Sequence, residues 1–196
     1  MRKWRCLVAL WVGFGLAGFS YAAGPHSSFS LGLEVGTWKP TALSSERPLE
    51  PAVLPGTRAL VGLGLGAALR EDLDLVVSAE YWEQYRLPQA CAAARVRIVP
   101  AGVCFRHRFA EDSWFSPFAD YGLLVMFGYE KVRSVHRWRK GNGYGASLGA
   151  GMAISLGRSL TIVLRGGYVY ARFGRPLGQT DDYSGTTFSL WTLIGL

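Results

Sequence analysis

Four charged side chains occupy matching positions in four segments that alternate bulky apolar residues with small or polar ones. Each lies five positions after the first apolar residue of its segment, namely Glu34 after Phe29, Glu80 after Leu75, Asp120 after Phe115 and Arg165 after Leu160. Paired carboxylates can transfer protons, and a guanidinium beside them can neutralise their charge. If the segments are strands of one sheet, these side chains gather at one level on one face. Arg97, nearer one end of its own segment, completes the predicted ionic cluster.

A second charged set lies in a single short stretch of the chain. Five cations fall within ten residues, with His136 and Trp138 between them: Lys131, Arg133, Arg137, Arg139 and Lys140. Arginine presents a fork of donors that matches a phosphate group, so the stretch is a candidate anion-binding loop. The plainer interpretation is a solvated loop that its charges keep soluble. Nucleic acid would need a second basic strip, which the sequence lacks, so we do not expect it as a partner.

The elements that must position these residues are strands, because side chains alternate between two faces in eight successive segments. The first runs from Phe29 to Gly36, and the others cover about 57–69, 75–85, 95–108, 115–129, 144–156, 160–170 and 188–196. The fourth is the least distinct, because Pro100 interrupts it and a proline removes a ladder hydrogen bond.

One face of these strands is bulky and apolar, while the other is glycine, serine and charge. A barrel in lipid has such an apolar exterior and polar interior, and eight strands leave an interior that side chains can fill. The sequence therefore predicts an all-β fold, an eight-stranded antiparallel up-and-down transmembrane β-barrel with short periplasmic turns and longer extracellular loops. The residues expected near the middle of the lipid face are Leu63, Leu123, Leu148 and Leu164.

Inside such a barrel, the ionic cluster is interpreted as structural. A substrate has no route to a filled lumen, and charges buried there must pair or be neutralised. We expect the cluster to plug the lumen, with a gated proton or ion path as the alternative, and we expect no catalytic residues.

The N-terminus and the composition predict one exported domain. Arg2, Lys3 and Arg5 precede an apolar stretch that ends in small residues, which is the layout of a secretory signal. We expect a cleaved signal peptide over residues 1–23 and a barrel domain over residues 24–196. The formal net charge of +7 falls when the three signal cations leave, and the balanced remainder also argues against nucleic acid.

The cysteines and histidines predict neither a disulfide nor a metal site. Cys91 is expected in a loop and Cys104 well along the next strand, too far apart for the roughly 7 Å between Cα atoms that a disulfide allows. We therefore expect two free thiols, with Cys104 facing lipid. The histidines show no ligand spacing, so no metal or cofactor is expected.

The strand count, the alternating loop lengths and a final apolar strand that reaches Leu196 resemble the small eight-stranded OmpA/OmpX-type outer-membrane barrels. Those proteins usually end in an aromatic residue, and this chain departs from that pattern. The resemblance implies a monomer in the outer membrane, inserted by the barrel-assembly machinery and in contact with membrane lipids and lipopolysaccharide. It implies a non-enzymatic structural or surface-interaction role, in contact with lipopolysaccharide or in adhesion to an anionic glycan or another surface partner.

Three alternatives remain open at this point. An OmpW-like transporter of small hydrophobic compounds would need an apolar tunnel, for which inward Phe118, Leu124 and Met126 are the only hint. A lipid A-modifying enzyme would need a His/Ser/acid set, and Ser134 and His136 have the reverse of the order known in the deacylases. A soluble lipocalin-type carrier would need an apolar lumen, whereas this lumen is expected to be glycine and charge.

Overall fold

The computed structural model describes residues 29–44, 59–86, 94–110, 114–132, 138–157, 159–177 and 180–196. Its elements are β1 (Phe29–Pro40), α1 (Thr41–Ser44), β2 (Ala59–Arg70), β3 (Leu73–Arg86), β4 (Ala94–Arg108), β5 (Phe115–Val132), β6 (Trp138–Ser155), β7 (Leu160–Leu177), β8 (Thr180–Asp182) and β9 (Gly185–Gly195). The predicted signal segment lies outside the described residues, as do Cys91, Arg133, Ser134, His136 and Arg137. No helix in the described part of the chain is long and apolar enough to cross a membrane.

The eight long strands close into an antiparallel barrel, as predicted. Each pairs with its neighbours in chain order, and β1 closes the sheet by pairing with β9 as well as β2. The short strand β8 is an addition that the sequence did not predict, and it pairs only with the far end of β7. We call the end of the barrel that holds the β1–β2, β3–β4, β5–β6 and β7–β9 connections the long-loop end. The other is the short-turn end.

The exterior carries a continuous apolar band. Leu123 is 74% exposed, Leu63 and Leu148 are also exposed, and Leu164 lies on the same outer face between Met152 and Leu190. Exposed tyrosines flank the band towards the long-loop end: Tyr81, Tyr144, Tyr168 and Tyr170. Exposed Phe29 and Trp114 lie at the short-turn end. An apolar band between two aromatic rims matches the exterior of transmembrane barrels.

The interior is less polar than the sequence predicted. Its long-loop half is a close-packed apolar cluster that consists of Trp38, Leu60, Trp82, Val96, Ile98, Met126, Val169, Ala171, Phe173, Leu177 and Tyr183. A smaller apolar group of Phe118, Val163 and Trp191 lies elsewhere in the lumen. The expectation of a lumen of glycine and charge is therefore wrong for the long-loop half, where several inward positions carry large rings.

The β7–β8 hairpin contributes part of this apolar cluster. Leu177 packs over Gly128 and Gly141, and a Cβ on Gly128 would overlap the end of the leucine side chain unless that side chain moved. The Tyr183 hydroxyl donates to the Leu177 carbonyl over 2.5 Å. Partial burial acts to raise the pKa of Asp182. Hydrogen bonds from Ser184 and the charge of Arg172 outweigh this effect and hold that pKa below its usual value.

The side chains of strand β4 point to the faces opposite to those predicted from the sequence. Val96, Ile98 and Arg106 are buried in the lumen, so the alternate residues Arg97, Val103 and Phe105 face outward. A shift of one residue moves every side chain of a strand to the other face. In the first half of β4 the inward residues are apolar and two of the outward residues are arginines, which reverses the pattern of an apolar exterior and a polar interior. Cys104, a free thiol, therefore faces the lumen and not lipid.

Pro100 interrupts the ladder between β3 and β4 without changing its register. Ala79 pairs with Ala101 and Trp82 pairs with Ile98, while Glu80 and its neighbour have no ladder partner on β4. Proline lacks the N–H group that such a pair needs. The ladder between these two strands therefore lacks two residue pairs beside Pro100.

Candidate functional site: a lumen ionic cluster and a basic patch on the outer wall

The centre of the lumen contains a buried ion pair between β5 and β7. Both Nε and Nη2 of Arg165 donate to the Asp120 carboxylate over 2.8 Å each. Arg106, the register partner of Asp120 on β4, places Nη2 3.9 Å from the same carboxylate and its guanidinium 4.4 Å above the Phe118 ring. Gly149 leaves the space, since a Cβ there would lie 2.6 Å from Asp120 Oδ1. Asp120 therefore forms ion pairs with two guanidiniums.

Glu34 and Glu80 face each other across Gly62 on the same interior wall. A Cβ on Gly62 would lie 2.9 Å from both Glu34 Oε2 and Glu80 Cγ. Ser78 donates to Glu80 Oε1 over 3.4 Å. Glu34 is only 2% exposed, and its Oε2 has no hydrogen-bond partner. These two carboxyl groups form the second half of the ionic cluster.

The structure places four of the five predicted cluster residues in the lumen: Glu34, Glu80, Asp120 and Arg165. It excludes Arg97, which the reversed facing of β4 puts on the outer wall. It adds Arg106, which the sequence analysis missed because of the same shift. The signal that could have found Arg106 is its register position opposite Asp120, where a buried carboxylate needs a cation.

Arg97 belongs instead to a basic patch on the outer wall at the long-loop end, formed by Arg95, Arg97, Lys131, Trp138 and Lys140. The Arg97 guanidinium lies 4.9 Å from the Trp138 ring centre, and Lys131 Nζ lies 5.7 Å from it. Glu83 forms a hydrogen bond with Arg95 and an ion pair with Arg97 at 3.7 Å. A cation held over an aromatic face is fixed in position while its remaining donors stay available.

Three of the five predicted anion-binding cations lie among the described residues. Lys131, Arg139 and Lys140 are all exposed, and the register pairs Lys140 with Tyr129 and Arg139 with the buried Glu130. The loop of cations predicted from the sequence does not include Arg95 and Arg97, which lie on β4. Their signal was the pairing of β4 with β5, which sets Arg95 opposite Lys131 and Arg97 opposite Tyr129.

Metal binding has no support in the part of the chain that the structure describes. It contains no group of three or more His, Cys, Asp or Glu side chains that could hold an ion. The site chemistry is therefore that of ion pairs in the lumen and of exposed cations on the outer wall.

Comparison with solved structures finds other small barrels. The chain superposes on Neisserial surface protein A with a TM-score of 0.59 and 13% identity, over 88% of this chain and 100% of that one. The N-terminal β-barrel domain of Pseudomonas aeruginosa OprF gives 0.51 and 10%, over 87% and 100%.

The chain has the fold of the small eight-stranded outer-membrane barrels. Ail, the attachment invasion locus protein of Yersinia pestis, also superposes on this barrel, with a TM-score of 0.50 and 14% identity over 86% of this chain and 97% of that one. A further structure of Ail holds the heparin analogue sucrose octasulfate. No family model matches the chain, and no curated protein matches it.

Proposed function

We propose that the protein is an integral outer-membrane barrel with a filled lumen that acts through its surface, without enzymatic activity. Its partner is the phosphorylated headgroup region of lipopolysaccharide, or a sulfated glycan that presents the same anionic chemistry. The observation that carries this proposal is the basic patch of Arg95, Arg97, Lys131, Trp138 and Lys140, on the outward face at the long-loop end.

The position of the patch supports a ligand at the membrane surface. Tyr81 donates to Glu83 over 2.6 Å, and Glu83 in turn contacts Arg95 and Arg97 on the neighbouring strand, so these cations lie next to the tyrosine rim. Tyrosine rims sit at the headgroup level of a bilayer. Cations just beyond that level can reach phosphate groups without leaving the barrel wall. The sulfated ligand of Ail supports the choice of an anionic glycan as the second possibility.

The filled lumen is supported by the side chains inside it. Trp38, Trp82, Tyr183 and Leu177 are fully buried across the long-loop half, and the ionic cluster spans the barrel at Asp120 and Arg165. Eight strands give an interior that side chains of this size can fill. A solute would have to displace both layers to pass.

Removing three cations of the patch should weaken anion binding while the barrel still folds. For Arg97→Gln, Lys131→Gln and Lys140→Gln together, we expect binding weaker on the order of a hundredfold, from about 1 kcal/mol for each cation. The measurements are the lipopolysaccharide that copurifies with each barrel and the affinity for a heparin-like polymer.

The matched control removes three exposed cations away from the patch, as Lys39→Gln, Arg70→Gln and Arg175→Gln. Folding of both variants is checked by the shift in gel mobility on heating. If the control loses as much binding as the patch variant, then net charge and not the patch is responsible, and the proposal fails.

Transport of small hydrophobic compounds is a second candidate, favoured by the apolar long-loop half of the lumen and the interrupted ladder beside Pro100. A compound held in that half could leave sideways between β3 and β4. Pro100→Val restores the missing N–H, so transport predicts slower uptake of a hydrophobic dye, with Pro117→Val on β5 as the control. Equal uptake by all three proteins would exclude this exit.

A further inference from the structure

The carboxyl groups and guanidiniums of the ionic cluster do not balance. Glu34, Glu80 and Asp120 carry three carboxyl groups, whereas Arg106 and Arg165 carry two guanidiniums. Both guanidiniums are directed to Asp120. Among the described residues, neither Glu34 nor Glu80 lies within ion-pair distance of a cation. With every carboxyl group ionised, the cluster would hold one uncompensated negative charge.

The excess charge falls on the Glu34 and Glu80 side of the lumen. The two side chains meet across Gly62, and the neighbouring strand β2 offers no charge because its inward positions there are Gly62 and Gly64. An uncompensated charge away from water is costly, and two carboxylates that share such a site do not both ionise.

The groups next to this pair are hydrogen-bond donors, since the guanidiniums of the cluster are directed to Asp120. Ser78 donates to Glu80, and Ser189 and Trp191 on β9 lie beside Glu34. Ser189 Oγ and Trp191 Nε1 are both buried without a hydrogen-bond partner, like Glu34 Oε2. Donors of this kind can stabilise one carboxylate, but they cannot neutralise two.

We propose that Glu34 and Glu80 form a proton-binding site, in which one carboxylic acid and one carboxylate share a single proton at neutral pH. The other titratable or charged groups that face the pair are Cys104 and Arg106 on β4, Asp120 on β5 and Arg165 on β7. Strands β2 and β6 contribute glycines at this level, among them Gly62 and Gly149. With one proton bound, two carboxylates face two guanidiniums, and the cluster is neutral.

Infrared spectroscopy of the folded barrel in lipid vesicles tests the site directly. At pH 7 we expect the C=O stretching band of a protonated carboxylic acid, with a shift to lower frequency in ²H₂O. The band should be absent from the double variant Glu34→Gln and Glu80→Gln. Each single variant should also lose it, because the remaining carboxylate and Asp120 then balance the charges of Arg106 and Arg165 without a bound proton.

Glu130→Gln is the control, since Glu130 is another buried glutamate whose Oε2 has no partner. The band should persist in this variant, and gel mobility on heating verifies that all four variants fold. No acid band in the unmodified protein would overturn the proposal, because both carboxyl groups would then be ionised. A band that survives in the double variant, or one that disappears with Glu130, would also overturn it.

Discussion

Replacing Asp120 with Asn should lower the free energy of unfolding by about 3–5 kcal/mol, because it leaves two buried guanidiniums without their carboxylate. Asp120 is 0% exposed, accepts both donors of the Arg165 fork at 2.8 Å and lies 3.9 Å from Arg106. An amide of the same shape keeps the volume and removes the charge. The measurement is urea-induced unfolding in lipid vesicles, followed by tryptophan fluorescence.

Two further variants separate the buried ion pair from a general effect of charge. Asp72→Asn breaks a surface pair with Arg70 whose atoms are 3.7 Å apart and largely exposed, so its cost should be about 0–1 kcal/mol. The double variant Asp120→Asn and Arg165→Gln should lose less than Asp120→Asn alone, since it removes one stranded charge. An Asp120 variant as stable as the Asp72 variant would show that the cluster does not hold the barrel together.

The strands that carry this cluster could be predicted from the sequence for a physical reason. β1, β3, β5 and β7 run in the same direction, and each alternates a mostly apolar face with a face that contains glycine, serine or charge. The period of two alone then decides which face is inside. Glu34, Asp120 and Arg165 each lie five positions after the first residue of their strands and Glu80 lies seven after the first residue of β3, so a common level could be predicted closely by counting.

Strand β4 could not be predicted in the same way. Its inward Val96 and Ile98 are apolar because they enter the apolar half of the lumen, whereas the outward residues beside them, Arg95 and Arg97, are charged. A rule that places apolar residues outside and charged ones inside therefore assigns this half of the strand to the wrong faces. Arg97, Cys104 and Arg106 were all assigned to the wrong face or missed for this one reason, and only the strand register resolves it.

The apolar half of the lumen depends on contacts between distant parts of the chain. Trp38 lies near the end of β1, Trp82 lies on β3, and Tyr183 follows a hairpin strand of three residues that has no alternation to detect. Each residue alone fits an aromatic rim as well as an interior. They meet inside the barrel only because the sheet closes and the pairing register of its strands brings them to the same level.

Replacing Trp82 with Ala should lower the free energy of unfolding by about 3–5 kcal/mol. The side chain is 0% exposed, its ring centre lies 5.4 Å from that of Trp38 and 6.1 Å from that of Tyr183, and Nε1 donates to the Trp38 carbonyl over 3.1 Å. The substitution removes these contacts and leaves a cavity that the stiff barrel wall cannot close. The same urea titration measures the loss.

Trp114→Ala is the control, because Trp114 is an exposed ring at the short-turn end with no interior contact to lose, and its cost should be well under that of Trp82→Ala. The comparison also bears on the two candidate functions. A filled lumen requires rings that cannot rearrange, whereas a transporter requires an apolar half that adapts to its contents. If both variants lose the same small amount, the cluster repacks around a missing ring, and the transport function gains over the surface function.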